Sequence, residues 1–175
     1  MNDPVISKLN EMQPLPLRFA EIGVLEGTMT VKVLSTVPSI RRYYCIDPWK
    51  LYPDFRGKRT DESLERAYKK FLDNTTPYIK RIMILRMMSE RAALYIDDGS
   101  IDSIYIDANH EEKYVEQDVE LWYPKLRVGG LFFGDDYRLG EGRGGRPEWG
   151  VKTVIDRVFA GKANIYGDCW WLFKE

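Results

Sequence analysis

The chain has 175 residues, 44% hydrophobic and 30% charged, the composition of an ordinary globular domain long enough to bury its own core. Lysine plus arginine total 26 against 27 for aspartate plus glutamate, a formal net charge of -1, which argues against a protein built mainly to neutralise nucleic-acid phosphates. Cys45 and Cys169 are too few for a disulfide framework or a cysteine-built zinc site.

Both cysteines sit in apolar runs, as buried free thiols of a reducing compartment do. Apolar runs fall short of the about 18 residues that a membrane span needs, so no membrane partner is expected. The opening MNDPVISKLN lacks a basic stretch followed by an apolar one, so a secretory leader is not expected there. A cytoplasmic domain is the expectation.

Short β-branched or aromatic runs alternate with charged stretches of helical spacing. Residues 18–22 (RFAEI) read as a strand and 28–35 as a helix. A second strand is expected at 42–46 (RYYCI). The helix at 61–72 then places Leu64, Ala67, Tyr68 and Phe71 on one face. Residues 81–85 (RIMIL) give a third strand, followed by a short helix at 89–96 that Ser89 is placed to cap. Residues 103–106 are a fourth strand, 111–126 a long helix, 130–134 a fifth strand and 150–159 the last helix. Residues 165–166 and 169–173, around Gly167-Asp168, predict a closing hairpin.

This alternation predicts one α/β domain over 1–175. Its sheet is doubly wound, mostly parallel and seven-stranded, with helices on both faces and an antiparallel hairpin at the end. In such sheets ligands bind beyond the carboxyl ends of the strands. The informative residues are therefore Glu21 and Gly23, Asp47, Met88 and Ser89, Asp107 to His110, and Asp135 to Tyr137. Two aperiodic segments, 49–60 (WKLYPDFRGKRT) and 138–149 (RLGEGRGGRPEW), are long enough to act as substrate lids, with plain surface loops as the alternative.

The first strand runs into E-x-G-x-x-x-G, from Glu21 through Gly23 to Gly27. A dinucleotide turn reads G-x-G-x-x-G. Here Leu25 stands where the middle glycine would admit a pyrophosphate, and Glu21 suits a cationic ligand better than a diphosphate. Alone, the motif is equally well a pair of helix-packing glycines. Asp47, at the end of the second strand, can accept both hydroxyls of a ribose, or simply turn the chain into Pro48. The two features together favour an adenosine ligand over a nicotinamide dinucleotide.

At this point the sequence resembles the class I S-adenosylmethionine-dependent methyltransferases. EIGVLEG resembles their first motif and YYCIDPW their ribose-binding strand end. IDSIYIDANHEEKYVEQDVELWYPKLRVGGLFFGDDY is similar to the small O-methyltransferases of natural-product and sugar pathways, as is the closing GVKTVIDRVF. The likeness spans about residues 17 to 174. It implies S-adenosylmethionine as cofactor, held by Glu21, Gly23, Gly27, Asp47, Trp49, Met88, Ser89 and Asp107, with Trp49 packing on adenine or else closing its own loop. The short stretch before the first strand implies a thin cap over a small-molecule acceptor, or a cap completed by a second copy of the chain.

Asp107, Asp135 and Asp136 end the fourth and fifth strands, which lie about 4.8 Å apart if adjacent. Three converging carboxylates suit Mg²⁺, with Ca²⁺ or Mn²⁺ also accommodated, and resemble the metal triad of catechol-type and macrolide-sugar O-methyltransferases. His110 is the only histidine, placed to act as a base or to start the next helix. The expected catalytic residues are His110, Asp107 and Asp135, and the expected activity is methyl transfer to a small-molecule hydroxyl. A nitrogen or protein acceptor without metal, and a non-catalytic adenosine-binding module of the same fold, are the alternatives.

Overall fold

Runs rich in isoleucine, valine and aromatics pair as strands, and amphipathic stretches between them cover the sheet. The computed structural model describes residues 4–12, 16–53, 58–138 and 149–175. Its strands are β1 (Leu17–Ile22), β2 (Ile40–Ile46), β3 (Ile82–Leu85), β4 (Ile101–Ile106), β5 (Leu126–Gly134), β6 (Asn164–Tyr166) and β7 (Cys169–Phe173). They form one seven-stranded sheet in the order β3-β2-β1-β4-β5-β7-β6. β1 to β5 are parallel, and β7 runs antiparallel to both β5 and β6. The chain thus winds outward from β1 to β3 and returns to β4 on the other side of β1. That reversal opens a crevice between the carboxyl ends of β1 and β4.

The helices are α1 (Pro4–Glu11), α2 (Thr28–Thr36), α3 (Asp61–Thr75), α4 (Ser89–Ala93), α5 (Glu112–Trp122) and α6 (Val151–Phe159). Alternation along the strands assigns each residue to one of two cores. Ala20, Ile22, Ile104, Ile106 and Phe132 meet α4, α5 and α6 through Ala92, Val115, Val119, Trp122, Val154 and Ile155. Leu17, Phe19, Tyr105, Leu131 and Phe133 meet α1, α2 and α3 through Leu9, Val33, Leu34, Ala67 and Phe71. Among the described residues no helix is long and apolar enough to cross a membrane.

Several element ends differ from the sequence expectation. α1 was not foreseen; it buries Val5 and Leu9 against the sheet although its sequence gives only two turns of pattern. The helix expected to run to residue 126 ends at Trp122, because Pro124 has no N–H to continue it, and Leu126 already pairs with Ile101 in the sheet. α4 stops at Ala93, and its N-cap is Met88 with no side-chain cap. Ser89 does not cap; its hydroxyl is used on Asp118 instead. Arg81 closes a 3₁₀ turn (Thr76–Arg81) rather than opening β3, and its guanidinium donates to the Leu34 and Ile40 carbonyls at 2.8 and 3.1 Å.

Candidate active site

The turn after β1 is built by backbone geometry first. Gly23 has φ +89°, and a Cβ there would sit 2.1 Å from the Asp107 carbonyl oxygen, so only glycine lets the ends of β1 and β4 approach this closely. Gly27 has φ +75°, and its missing Cβ makes room for the Phe71 ring of α3. It therefore packs α2 on α3 behind the site rather than facing a ligand, a correction to its expected cofactor role. Between them Leu25 is also left-handed, φ +50°, and must be held there.

Asp47 holds it. Its Oδ2 accepts the Val24 and Leu25 N–H groups at 3.0 Å each, and its Oδ1 accepts the Trp49 N–H at 2.7 Å. A carboxylate offers about four acceptor positions. Three are filled by backbone, so the expected pair of ribose hydroxyls finds one position left, not two. Trp49 is likewise corrected. Its ring is 1% exposed, lies 4.9 and 5.0 Å from Tyr68 and Phe71, and donates from Nε1 to the Leu25 carbonyl at 2.7 Å. It closes the loop and does not face the cavity.

The crevice is a cavity of about 600 Å³, within the range of small-molecule sites. Glu21, Gly23, Asp47, Met88, Ser89, Asp107 and His110 line it. Lys50, Tyr52 and Arg59, from the described part of segment 49–60, and Trp149 line it too. The rest of both proposed lids, 54–57 and 139–148, lies outside the described residues. Tyr52 accepts a hydrogen bond from Asn109 Nδ2 at 2.8 Å and packs edge-on against Tyr114. These contacts fasten the 49–53 stretch to the end of β4.

Glu21 is 1% exposed, and its Oε2 accepts from Thr30 Oγ1 at 2.5 Å and Tyr43 Oη at 2.7 Å. Burial pushes its carboxyl up to about 8, against those two hydrogen bonds, which favours the neutral acid. A cationic ligand group reaching it would draw it back toward carboxylate.

His110 sits between two carboxylates. Its Nε2 lies 3.3 Å from Asp107 Oδ1 and 3.0 Å from Asp136 Oδ2. Tyr105 donates to the other Asp107 oxygen at 3.2 Å. Burial works against a charged imidazole, but the Asp107 hydrogen bond and the charges of Asp136, Asp107 and Asp135 outweigh it and raise the His110 pKa above its ordinary value. Burial also raises Asp136, with His110 opposing. Ionised carboxylates only accept, so the ring proton sits on Nε2. Among the described residues Nδ1 takes no hydrogen bond, so in the neutral ring its lone pair is the basic site, a state that the raised pKa moves to higher pH.

Asp107, His110 and Asp136 bring one ligand atom each within 4.8 Å of one another, a spacing that a cation can bridge when the facing ring nitrogen carries no proton. Asp135, expected as a third ligand, is not in that group; its Oδ1 accepts the N–H of Asp136, which is left-handed at φ +59°. Adjacent residues on a strand end point apart, and the turn at Asp136 carries its carboxylate, not that of Asp135, toward His110. The set is two oxygens and an imidazole in place of three carboxylates.

A residue the sequence reading missed is Asp118. It lies on the buried face of α5 with Val115, Val119 and Trp122, and it also lines the cavity. An acid in the apolar phase of an amphipathic helix was the available signal.

The signature of a methyltransferase domain family matches residues 20–137, about two thirds of the chain. No curated protein matches the sequence. Solved structures share the fold. A Clostridium thermocellum structure named as an rRNA-methylase has TM-score 0.70 at 11% identity, covering 98% of this chain and 96% of its own. A Staphylococcus aureus structure named as a caffeoyl-CoA O-methyltransferase has TM-score 0.68 at 16% identity, covering 100% and 85%. The mycinamycin-pathway methyltransferase MycE, solved with Mg, S-adenosylhomocysteine and mycinamycin VI, has TM-score 0.60 at 16% identity, covering 98% and 48%. Switch-point crevice, glycine turn and strand-end acids stand where that family's signature lies, and the chain belongs to the class I S-adenosylmethionine-dependent methyltransferase domains.

Proposed function

We propose that this protein transfers the methyl group of S-adenosylmethionine to a hydroxyl of a small molecule. The observation that carries the reading is the imidazole of His110, on the cavity wall, clamped through Nε2 by Asp107 and Asp136 with Nδ1 left basic. The cavity fits the cofactor on two counts. Its volume suits a nucleoside-sized ligand, and acidic side chains, Asp47 and Asp107 among them, line it, as befits a sulfonium cation. The cofactor supplies an electrophilic methyl on a cationic sulfur.

The protein's own work is placement and proton removal. The turn from Gly23 to Leu25, fixed by Asp47, shapes one wall. His110 Nδ1 takes the acceptor hydroxyl's proton as the new carbon–oxygen bond forms. Asp107 and Asp136 stabilise the resulting imidazolium, the role of a carboxylate behind a histidine base. Displacement by a neutral alcohol leaves the methyl ether and the uncharged thioether, so enclosing the reactants against water assists the step.

A second reading is favoured by the same cluster. Asp107 and Asp136 are hard oxygen donors, and they would hold Mg²⁺, which would lower the pKa of the acceptor hydroxyl. The test is titration calorimetry with S-adenosylhomocysteine, followed by transfer of labelled methyl to a panel of small hydroxyl compounds, with Mg²⁺ and with chelator. Binding of the product and labelling of hydroxyl compounds supports the proposal. Labelling of amines alone would replace it with an N-methyltransferase reading, and turnover that dies in chelator would assign the metal.

A further inference from the structure

The mouth of the cavity carries charge of the opposite sign to its inner wall. Asp47 and Asp107 at the strand ends, with Glu90 and Asp118 from the helices, line it with acid. Lys50 and Arg59 are the only lysine and arginine among the described residues that line it, and both are exposed. Both belong to the segment that follows β2. β1 lies between β2 and β4 in the sheet, and Tyr52 reaches Asn109 beyond the end of β4, so the stretch from Asp47 to Tyr52 passes over the end of β1. The Leu51 N–H donates to Asp61 Oδ1 at 2.8 Å, which fastens the same stretch to the start of α3. That bond joins the neighbour of Lys50 to a residue two beyond Arg59, and so draws the two cations to one side of the mouth.

Among the described residues neither cation forms an ion pair or a hydrogen bond. Asp61, an acid close to Arg59 in sequence, is engaged by the Leu51 N–H. Two like charges held on one side of a cavity repel, and an anion settling beside them relieves that. An ammonium is a mobile point charge and a guanidinium a planar fork, a pair suited to a carboxylate or a phosphate. The position selects which ligand brings it. The cofactor fills the crevice between β1 and β4, under this stretch, whereas an acceptor enters past the stretch toward His110. Tyr52 ties the stretch to the residue before His110, and Lys50 is at most about 7 Å of chain from Tyr52. An anionic group at Lys50 and Arg59 thus leaves a hydroxyl of the same small molecule within reach of His110. It also keeps the anion off the sulfur, where a carboxylate would itself compete for the methyl.

We infer that the acceptor is an anionic hydroxy compound, whose carboxylate or phosphate Lys50 and Arg59 hold at the mouth while its hydroxyl faces His110. This rests on the reading of the protein as an O-methyltransferase. The hydroxyl oxygen takes the methyl from sulfur, its proton passes to His110, and the anionic group leaves unchanged. The cations also act before contact, because they draw in an anion that an acidic wall alone would repel. They are exposed, so their effect falls as salt rises.

The experiment is labelled-methyl transfer by the whole chain to small hydroxyl compounds in matched pairs: hydroxybenzoic acids against their amides, and sugar phosphates against the parent sugars. The anionic member is expected to lead by about tenfold in kcat/KM, the worth of one charge-assisted contact. The pair that shows the lead separates carboxylate from phosphate. Lys50→Gln and Arg59→Gln, at exposed positions, should each cut the lead to about threefold through KM, and added salt should shrink it in the wild type. Equal transfer to both members, transfer to neutral members alone, or a methyl ester as product overturns the inference. Variants that keep the full lead overturn it as well, and a loss of S-adenosylhomocysteine affinity in them assigns the cations to the methionine carboxylate. If calorimetry shows S-adenosylhomocysteine bound and no anionic compound is labelled, the inference falls and the cofactor reading stands. A wild type that does not bind S-adenosylhomocysteine overturns the methyltransferase reading itself.

Discussion

Replacing Asp47 by asparagine keeps the shape of the side chain and removes its charge. In the structure the carboxylate receives three backbone N–H groups, from Val24, Leu25 and Trp49. An amide has one acceptor oxygen. The best orientation keeps the Val24 and Leu25 pair and turns an NH₂ group against the Trp49 N–H. One bond to a charged group is then lost, about 1.5–3 kcal/mol, and the two that remain fall to neutral strength, roughly half. With a discount for a half-buried, partly screened carboxylate, the cost is about 2–4 kcal/mol. For a domain of this length that lowers Tm by about 5–15 °C. Thermal unfolding followed by far-UV circular dichroism reads it. If Asp47→Asn melts within about 2 °C of wild type while its S-adenosylhomocysteine affinity collapses, Asp47 is a ligand contact and its role as anchor of the turn is wrong.

Further outcomes follow from the same site. His110→Ala should slow methyl transfer about 10²–10⁴-fold with little change in S-adenosylhomocysteine affinity, and an unchanged rate would remove the histidine as base. Asp136→Ala should cost more activity than Asp135→Ala, since it is Asp136 that touches His110; the reverse order in the same labelled-methyl assay would restore the three-carboxylate arrangement. Glu21 is raised from 4.5 to about 8 on folding, so the unfolded chain ionises first and native stability declines as pH rises from about 4.5 to 8. Glu21→Gln should flatten that decline in urea titrations at pH 5, 6.5 and 8, although Asp118, raised to about 7, leaves a residual slope of the same sign. Equal slopes in both proteins would show that Glu21 is ionised in the native state.

The strand-helix alternation was legible because period-2 and period-3.6 patterns report which face is buried, and both cores bear it out in the main, although Val158 of α6, which shares the helical phase of Val151, Val154 and Ile155, is 43% exposed. The ends of elements were less so. Nothing in residues 111–126 marks where α5 stops except Pro124, and β5 begins three residues before its glycine pair because Leu126 has a partner, Ile101, that is distant in sequence. Strand-end acids pointed to the crevice, but their tasks depend on backbone that periodicity does not describe. Asp47 lines the cavity as a ribose ligand would, but its sequence position does not show that three of its acceptor positions go to the Val24, Leu25 and Trp49 N–H groups of a turn with left-handed backbone at Leu25 and Trp49. Asp135 and Asp136 are indistinguishable in sequence, and the positive φ of Asp136 separates them. Asp118 was hidden by its company, three apolar residues at helical spacing.

The segment between 138 and 149 departs from one partner of His110 and returns to another. It leaves two residues after Asp136, whose carboxylate meets the ring, and comes back where the Gly150 N–H binds the His110 carbonyl at 2.9 Å and Trp149 bridges to Glu111. The histidine is thus the clasp at which both ends of that stretch are pinned. Lengthening a closed loop is inexpensive, about 0.6 kcal/mol for each doubling. Stretches of different length can therefore be exchanged between those two pins at little cost in closure entropy, while His110 stays held at its ring by Asp136 and at its carbonyl by Gly150.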